Sequence, residues 1–184
     1  MIDLNTRRFD KVHDAEGVNL LYGLNDLIKE NVQPNYIICE IGSFRGVSSS
    51  LFAEFCKVLY CIDPWKPYSN DIDVVNNGMI NDAEKEFDDR SQNYKNIIKR
   101  KDTSQASCTT FENNYFDLVY IDGSHSYQDV KNDIINWLPK IKQSGFISGH
   151  DFYHKSIKQA ISETIGLDDI KTYSDSSWLK RVNI

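Results

Sequence analysis

The sequence predicts an α/β fold, in which a parallel sheet carries helices on both faces. Short apolar runs rich in β-branched residues, typical of buried strands, alternate with segments whose apolar residues recur at helical spacing. The clearest strands are residues 36–41 and 116–121, and each is followed by a turn and a helix. Such alternation is typical of parallel sheets that helices cover on both sides.

The size and charge of the chain bound its function. With 184 residues it is expected to form one domain, 1–184, with a helical cap over 1–33 and the α/β core over 34–184. The net charge of −6 argues against a nucleic-acid partner, which normally needs a basic face. No apolar run approaches the roughly 20 residues of a membrane span, and the first residues lack the apolar stretch of a signal peptide. We therefore expect no membrane partner and a cytoplasmic location.

The cysteines indicate no metal or redox motif. None of the four belongs to a C-x-x-C pair, and they fall mainly in predicted strands and helices. We expect reduced thiols in the core of a cytosolic protein. They are Cys39, Cys56, Cys61 and Cys108.

The stretch around the first predicted strand carries the main binding motif. Strand 36–41 leads through a glycine turn into a helix from Val47, so backbone N–H groups can face a ligand. A dinucleotide fingerprint requires a glycine where Phe44 stands. The acid before the turn can instead meet a cationic amine, which NAD lacks. The candidate cofactor-binding residues here are Glu40, Gly42, Ser43 and Gly46.

The second predicted strand is also followed by an acid. A helix is predicted over 12–31, which Pro34 prevents from continuing, and a second strand over 57–62. Asp63 follows this strand, about 21 residues after Gly42, where an acid bonds ribose hydroxyls in α/β nucleotide sites; capping the turn before Pro64 is the alternative.

A long loop, a helix and a third strand follow. The loop 64–78 has the length of a lid or binding loop, and the helix is predicted over 81–94. A short strand over 96–99 precedes Asp102. That carboxylate can accept from an exocyclic amine such as that of adenine, or it can be the N-cap of the next helix.

The second half repeats the strand–helix pattern. Strand 116–121 precedes Asp122 and His125, and Ser126 and Asp129 have the spacing of a capping box before a helix. Residues 143–145 are predicted as a turn, with polar side chains in front of a glycine. The remaining predicted elements are a strand over 146–148 ending before His150 and Asp151, a helix over 156–165, and two strands over 170–173 and 177–182.

These motifs together resemble a known family. The Glu40-x-Gly42-x-x-x-Gly46 pattern resembles the first motif of class I S-adenosylmethionine-dependent methyltransferases. The small subfamily related to macrocin O-methyltransferase and the cephalosporin-hydroxylase-like proteins is similar over about residues 36–152. The residues that carry this second resemblance are Asp122-Gly-Ser-His125-Ser-Tyr127, Trp137-Leu138-Pro139, Ser144-Gly145 and His150-Asp151.

The resemblance implies a fold, a cofactor and a reaction. It implies a Rossmann-like sheet of seven strands with the last strand antiparallel, S-adenosylmethionine as the cofactor, and methylation of a hydroxyl on a sugar or natural product. Asp122 would belong to the cofactor site. A divalent metal, Mg²⁺ or Mn²⁺, would be held by Asp122 and Asp151, with His150 beside them. His150 departs from the all-oxygen sites of the family, because Mg²⁺ prefers oxygen ligands and imidazole suits Zn, Fe or Ni.

Methyl transfer from a sulfonium needs alignment and removal of the acceptor's proton. His125 titrates near neutrality at the carboxyl end of a strand and is the predicted general base. A bond to a backbone carbonyl is its alternative role, and Asp122 is either a metal ligand or a second base candidate. A metal that lowers the pKa of the hydroxyl is a further possibility.

Two other classes stay open. The protein could be a non-catalytic nucleotide-binding module, or a nicotinamide-dependent oxidoreductase, which Phe44 disfavours. The predicted acceptor is a small molecule or a glycan, and the sequence does not indicate an oligomeric state.

Overall fold

The structure, a computed structural model, describes residues 21–66 and 77–183, with the side chains of all of these except 77–81. The helices are α1 (Tyr22–Asn31), α2 (Val47–Ala53), α3 (Asn77–Ser91), α4 (Ser104–Cys108), α5 (Tyr127–Trp137) and α6 (Lys155–Thr164). The strands are β1 (Ile37–Ile41), β2 (Val58–Asp63), β3 (Ile97–Lys101), β4 (Phe116–Ile121), β5 (Ile141–Gly149), β6 (Lys171–Thr172) and β7 (Trp178–Arg181).

The strands form one seven-stranded sheet in the order β3-β2-β1-β4-β5-β7-β6. Strands β1 to β5 pair in parallel, whereas β7 is antiparallel to both β5 and β6. The predicted Rossmann-like sheet with an antiparallel last strand is therefore confirmed. The order reverses between β1 and β4, and in open α/β sheets ligands bind at the carboxyl ends of the strands beside such a reversal.

Two hydrophobic layers hold helices against the two faces of the sheet. On one face α1, α2 and α3 bury Leu24, Phe52 and Phe87. On the other, α5 and α6 bury residues such as Trp137 and Ile161. These side chains are at most 2 % exposed, so the apolar periodicity of the helices matches the faces that they bury.

Helix α1 is capped by an acid from the far end of the chain. Its N-cap residue, Leu21, provides no side-chain hydrogen bond, but Oδ2 of the buried Asp175 accepts from the backbone N–H of Leu24 at 2.6 Å. A Cβ on Gly23 would lie 2.1 Å from Oδ1 of Asp175, so only glycine permits this approach. The carboxylate satisfies a backbone donor that the helix itself leaves unpaired.

Several predicted boundaries differ from the structure. Helix α1 ends at Asn31 as predicted, while residues 12–20 of that prediction lie outside the described residues, as does 67–76 of the predicted loop. Helix α3 begins at Asn77 rather than at 81, and α4, the helix considered after Asp102, begins at Ser104. The predicted turn 143–145 is wrong: these residues form an irregularity inside β5, where Ser144 has φ 63° and its N–H donates to the carbonyl of Val182.

The four cysteines are buried and carry free thiols, as predicted. Burial raises the pKa of each thiol, that of Cys56 to about 12. Among the described helices, none combines the length and apolar character that crossing a membrane would require.

Candidate functional site

The loop between β1 and α2 has an unusual backbone. Three of its residues have positive φ: Gly42 at 86°, Phe44 at 43° and Gly46 at 75°. A Cβ on Gly42 would lie 2.1 Å from the carbonyl oxygen of Asp122, so glycine is required where the loop passes the end of β4. For Phe44 the left-handed conformation costs energy, and such strain persists only where neighbours hold it.

Asp63, at the end of β2, holds this loop. Its Oδ2 accepts from the N–H of Phe44 at 2.9 Å and its Oδ1 from the N–H of Trp65 at 2.6 Å. The indole Nε1 of Trp65 in turn donates to the carbonyl of Phe44 at 2.7 Å. Burial raises the pKa of Asp63, although the two backbone donors oppose that effect. The turn-capping role is therefore present, and the ribose contact stays a prediction.

Glu40 lies beneath the loop with its side chain fully buried, at 0 % exposure. Hydroxyl groups of Ser43, Ser48 and Ser49 donate to its carboxylate. Burial raises its pKa, and the serine hydrogen bonds lower it. Ser43, a predicted cofactor-binding residue, thus directs its hydroxyl to Glu40.

Asp102 follows β3 and is exposed. Its Oδ1 accepts from the N–H of Thr103 at 2.8 Å. The N-cap of α4 is Thr103, whose hydroxyl accepts from the N–H of Ala106 at 3.2 Å. The predicted N-cap role of Asp102 is therefore wrong by one residue, and the contact with adenine stays a prediction.

A second cluster lies where β4 and β5 end. Nε2 of His125 is 2.8 Å from Oδ2 of Asp151, and Nδ1 of His150 is 3.3 Å from the same oxygen. Nδ1 of His150 also lies 4.0 Å from Oδ1 of Asp122. Because Ile121 is paired with Gly149 in the parallel register, the polar residues after the two strands meet at one edge of the sheet.

The charges in this cluster are strongly coupled. Burial raises the pKa of Asp122 to about 7, although the His150 charge opposes it. Burial alone would lower the pKa of His150, but Asp122 and Asp151 outweigh it and raise that pKa to about 9. Burial would also raise the pKa of Asp151, yet hydrogen bonds from His125 and His150 hold it well below its usual range. Asp151 is thus the lasting negative charge of the cluster.

Within the part of the chain that the structure describes, the groups that could hold a metal ion are Asp122, His125 and Asp151. One ligand atom from each lies within 4.8 Å of the others. The sequence predicted His150 in this set in place of His125. In the structure His150 lies beside Asp151. A cavity of about 10 Å³ is bordered by both histidines. That volume suits a water or an ion rather than a nucleotide.

Backbone contacts fix the position of His125. Ser126 is the N-cap of α5, its hydroxyl accepting from the N–H of Asp129 at 3.2 Å, as the capping-box spacing predicts. The hydroxyl of Ser156 donates to the carbonyl of His125 at 2.5 Å. The ring of His154 lies 6.0 Å from that of His125 between centroids. Sequence reasoning missed Ser48, Ser49 and Ser156, because serines in a helix give no signal of a distant partner.

The fold and the arrangement of this site define a class I methyltransferase. A family model described as a methyltransferase domain matches residues 39–152, which include the glycine loop and the His150-Asp151 pair. The chain belongs to this family of methyltransferase domains.

Comparison with known proteins extends the match to the fold. The SMU.1697c protein of Streptococcus mutans, solved in complex with SAH, has a TM-score of 0.59 and 12% identity, over 86% of this chain and 96% of that one. The YcgJ protein of Bacillus subtilis has a TM-score of 0.53 and 15% identity, over 68% of this chain but only 48% of that one. The uncharacterized protein y4gI of Sinorhizobium fredii is 42% identical over 40 residues, 22% of this chain and 4% of that protein.

Proposed function

We propose that the protein is an S-adenosylmethionine-dependent methyltransferase that methylates a hydroxyl group. The main observation behind the proposal is the strained loop 42–46, which lies where the strand order of the sheet reverses and is held by Asp63. The chain also belongs to the methyltransferase-domain family. The SAH complex of the S. mutans protein, which has a similar fold, supports the same cofactor.

The cofactor site proposed here follows the carboxyl ends of β1 to β4. Gly42 and Gly46 let the backbone approach the ligand closely. Asp63 is proposed to accept from the ribose, and a second lone pair on each oxygen, beyond its backbone contact, supports this role. Asp102 is exposed one strand further on and is proposed to accept from the adenine amine.

The chemistry proposed for the second cluster is proton removal. S-adenosylmethionine supplies a methyl group already activated by the positive charge on sulfur. The acceptor oxygen would take this methyl group, with S-adenosylhomocysteine as the leaving group, and His125 would accept the hydroxyl proton. Asp151, 2.8 Å from Nε2 of His125, orients the imidazole and stabilises its charged form. A positioned base contributes roughly 10²–10⁴-fold to the rate.

The same residues also fit a divalent ion, which is a competing proposal for this cluster. Two carboxylate oxygens and one imidazole nitrogen form a mixed donor set that suits Mn²⁺ or Fe²⁺ better than Mg²⁺. A bound ion would lower the pKa of the acceptor hydroxyl. In that arrangement His125 is a ligand, and its role as the base is excluded.

The acceptor proposed is a hydroxyl-bearing small molecule or glycan. His125 is 36% exposed and Asp151 34% exposed, so the pair is accessible to such a molecule. The resemblance to macrocin O-methyltransferase, carried by residues 121–127 and 150–151, supports a sugar or natural product.

Calorimetry with SAH tests the cofactor, and transfer of a labelled methyl group to a panel of glycosides and phenols tests the reaction. We expect SAH to bind and labelled ether product to form. Tight binding of NADH without any binding of SAH would overturn the proposal. SAH binding without methylation of any acceptor would support a binding module instead.

Titration with Mn²⁺ tests the metal directly. Under the metal alternative, the wild-type protein binds Mn²⁺ and Asp151→Asn loses that binding. His154→Ala is the matched control, since His154 lies next to the cluster but outside its ligand set. Full activity in excess chelator, with no Mn²⁺ bound, would remove the metal and leave His125 as the base.

A further inference from the structure

Glu40 occupies the position expected to meet the amine of the cofactor, yet its carboxylate is enclosed by protein. Its side chain is 0 % exposed. Oε1 accepts from the hydroxyl of Ser48 at 2.5 Å, and Oε2 accepts from the hydroxyl of Ser43 at 2.7 Å and from that of Ser49. Three hydroxyl groups therefore share one buried carboxylate, and the thiol of Cys61 is a further hydrogen-bond partner.

The three serines come from both ends of the glycine loop. Ser43 lies directly after Gly42, whereas Ser48 and Ser49 lie in the first turn of α2. Glu40 thus joins the start of the loop to the helix that follows it. Between these anchors lies Phe44 at φ 43°, a strained conformation that persists only where its surroundings impose it.

A ligand amine would have to reach a carboxylate oxygen that no solvent reaches. An ammonium group loses its water on entering such a site, and this penalty is large unless its charge is fully compensated. The oxygens of Glu40 are already satisfied by hydroxyl donors, which accounts for a buried acid that has no cationic partner among the described residues.

We propose that Glu40 is a positioning residue that holds the loop 42–46 through Ser43, Ser48 and Ser49, and that it does not bind the amine of the cofactor. This inference rests on the proposed function in one respect, namely that the loop binds an adenosyl group. It changes the predicted role of Glu40 from a ligand contact to a support for Phe44 and the glycines.

Two ligands that differ in the amine distinguish the roles. SAH carries the amino-acid part, and 5′-methylthioadenosine lacks it. Glu40→Ala is expected to weaken both ligands by the same factor, about tenfold, as the loss of one supporting interaction would. Glu40→Gln keeps the size and most hydrogen bonds and is expected to restore both affinities to within about threefold of wild type. A variant that loses SAH tenfold while keeping 5′-methylthioadenosine unchanged would overturn the inference.

A second measurement does not depend on the ligand. Ser48→Ala and Glu40→Ala, alone and together, are compared by urea unfolding. The matched control is Ser50→Ala, because Ser50 lies in the same helix but donates to the carbonyl of Gly46 at 2.7 Å. We expect the Ser48 and Glu40 effects to be non-additive and those of Ser50 and Glu40 to add.

The two proposals fail in different ways. A wild-type protein that binds neither SAH nor 5′-methylthioadenosine would overturn the proposed function. The unfolding comparison would still decide the role of Glu40, since additive effects of Ser48→Ala and Glu40→Ala would exclude the hydrogen-bonded cluster as the support of the loop.

Discussion

Nε2 of His125 lies 2.8 Å from Oδ2 of Asp151. The two residues follow neighbouring parallel strands, β4 and β5, whose ends are aligned by the pairing of Ile121 with Gly149. Their contact joins two motifs that are separate in the chain. An imidazole bonded to a carboxylate is oriented, and its charged form is stabilised.

His125→Ala should lower kcat by roughly 10²–10⁴ while SAH binding stays intact, because the acceptor's proton loses its base. Steady-state methylation and calorimetry on the same preparation measure the two effects. His154→Ala is the control, since its ring is 6.0 Å from that of His125 and we expect it to change kcat less than about threefold. A lowered Tm with normal activity per folded molecule would show that His125 is only structural.

Asp63→Ala should weaken SAH binding by about 1–3 kcal/mol, through loss of a charged acceptor for the ribose and of the contact with Phe44. Asp63→Asn keeps an acceptor oxygen for the loop and should therefore weaken SAH binding less. Calorimetry at constant salt gives both values. Unchanged affinity in the alanine variant would place the cofactor elsewhere.

Stability should depend on pH through Asp133. Burial raises its pKa to about 6, partly offset by a hydrogen bond from Ser104 at 2.5 Å. The folded pKa exceeds the unfolded value of about 4, so the native state binds the proton more tightly and this contribution to stability is lost as pH rises from about 4 through about 6. Relative to Asp133→Asn, the wild type should therefore lose stability over this range.

Urea unfolding of both proteins at several pH values measures that difference. The asparagine keeps an oxygen for Ser104, whose own hydroxyl accepts from Nε1 of Trp137 at 2.8 Å. A difference that stays constant from pH 4 to pH 7 would contradict the raised pKa of Asp133.

Asp175→Ala should lower the free energy of unfolding by about 1–2 kcal/mol, because the N–H of Leu24 loses its cap and that of Ser177 its acceptor. Glu30→Gln is the control at the other end of α1. It removes an ion pair with Lys171 whose side chains are about half exposed, and should cost less than about 1 kcal/mol. Equal effects of the two variants in urea would argue against the cap.

Most of the fold was predictable because its strands and helices carry strong local patterns. The apolar runs at 36–41 and 116–121 are strands, and Leu24, Leu27 and Ile28 are buried on one face of α1. The errors lie where tertiary contacts decide. Ser144 adopts φ 63° inside β5 because its N–H pairs with Val182, and no local signal in residues 143–145 indicates that partner.

The clustering of four of the candidate residues was predictable, but their contacts were not. Asp122, His125, His150 and Asp151 could be named because they follow strand ends, which the topology brings together. Which imidazole lies within ligand distance of both carboxylates depends on backbone turns of a few residues, such as the φ of 56° at Asp151. The hydrogen bonds of Glu40 depend likewise on where three serine hydroxyls point, which sequence spacing does not determine.

The burial of all four thiols makes the native protein slow to react with alkylating reagents, since the thiolate is the reactive species and its formation is suppressed at each position. Labelling then requires opening of the surrounding structure. Cys39 and Cys61 lie in β1 and β2, Cys56 follows α2, and Cys108 donates its Sγ–H to the carbonyl of Asn136 in α5. Measuring the labelling rate of each cysteine by mass spectrometry would therefore show how fast separate parts of the sheet and its helices open, without any engineered probe.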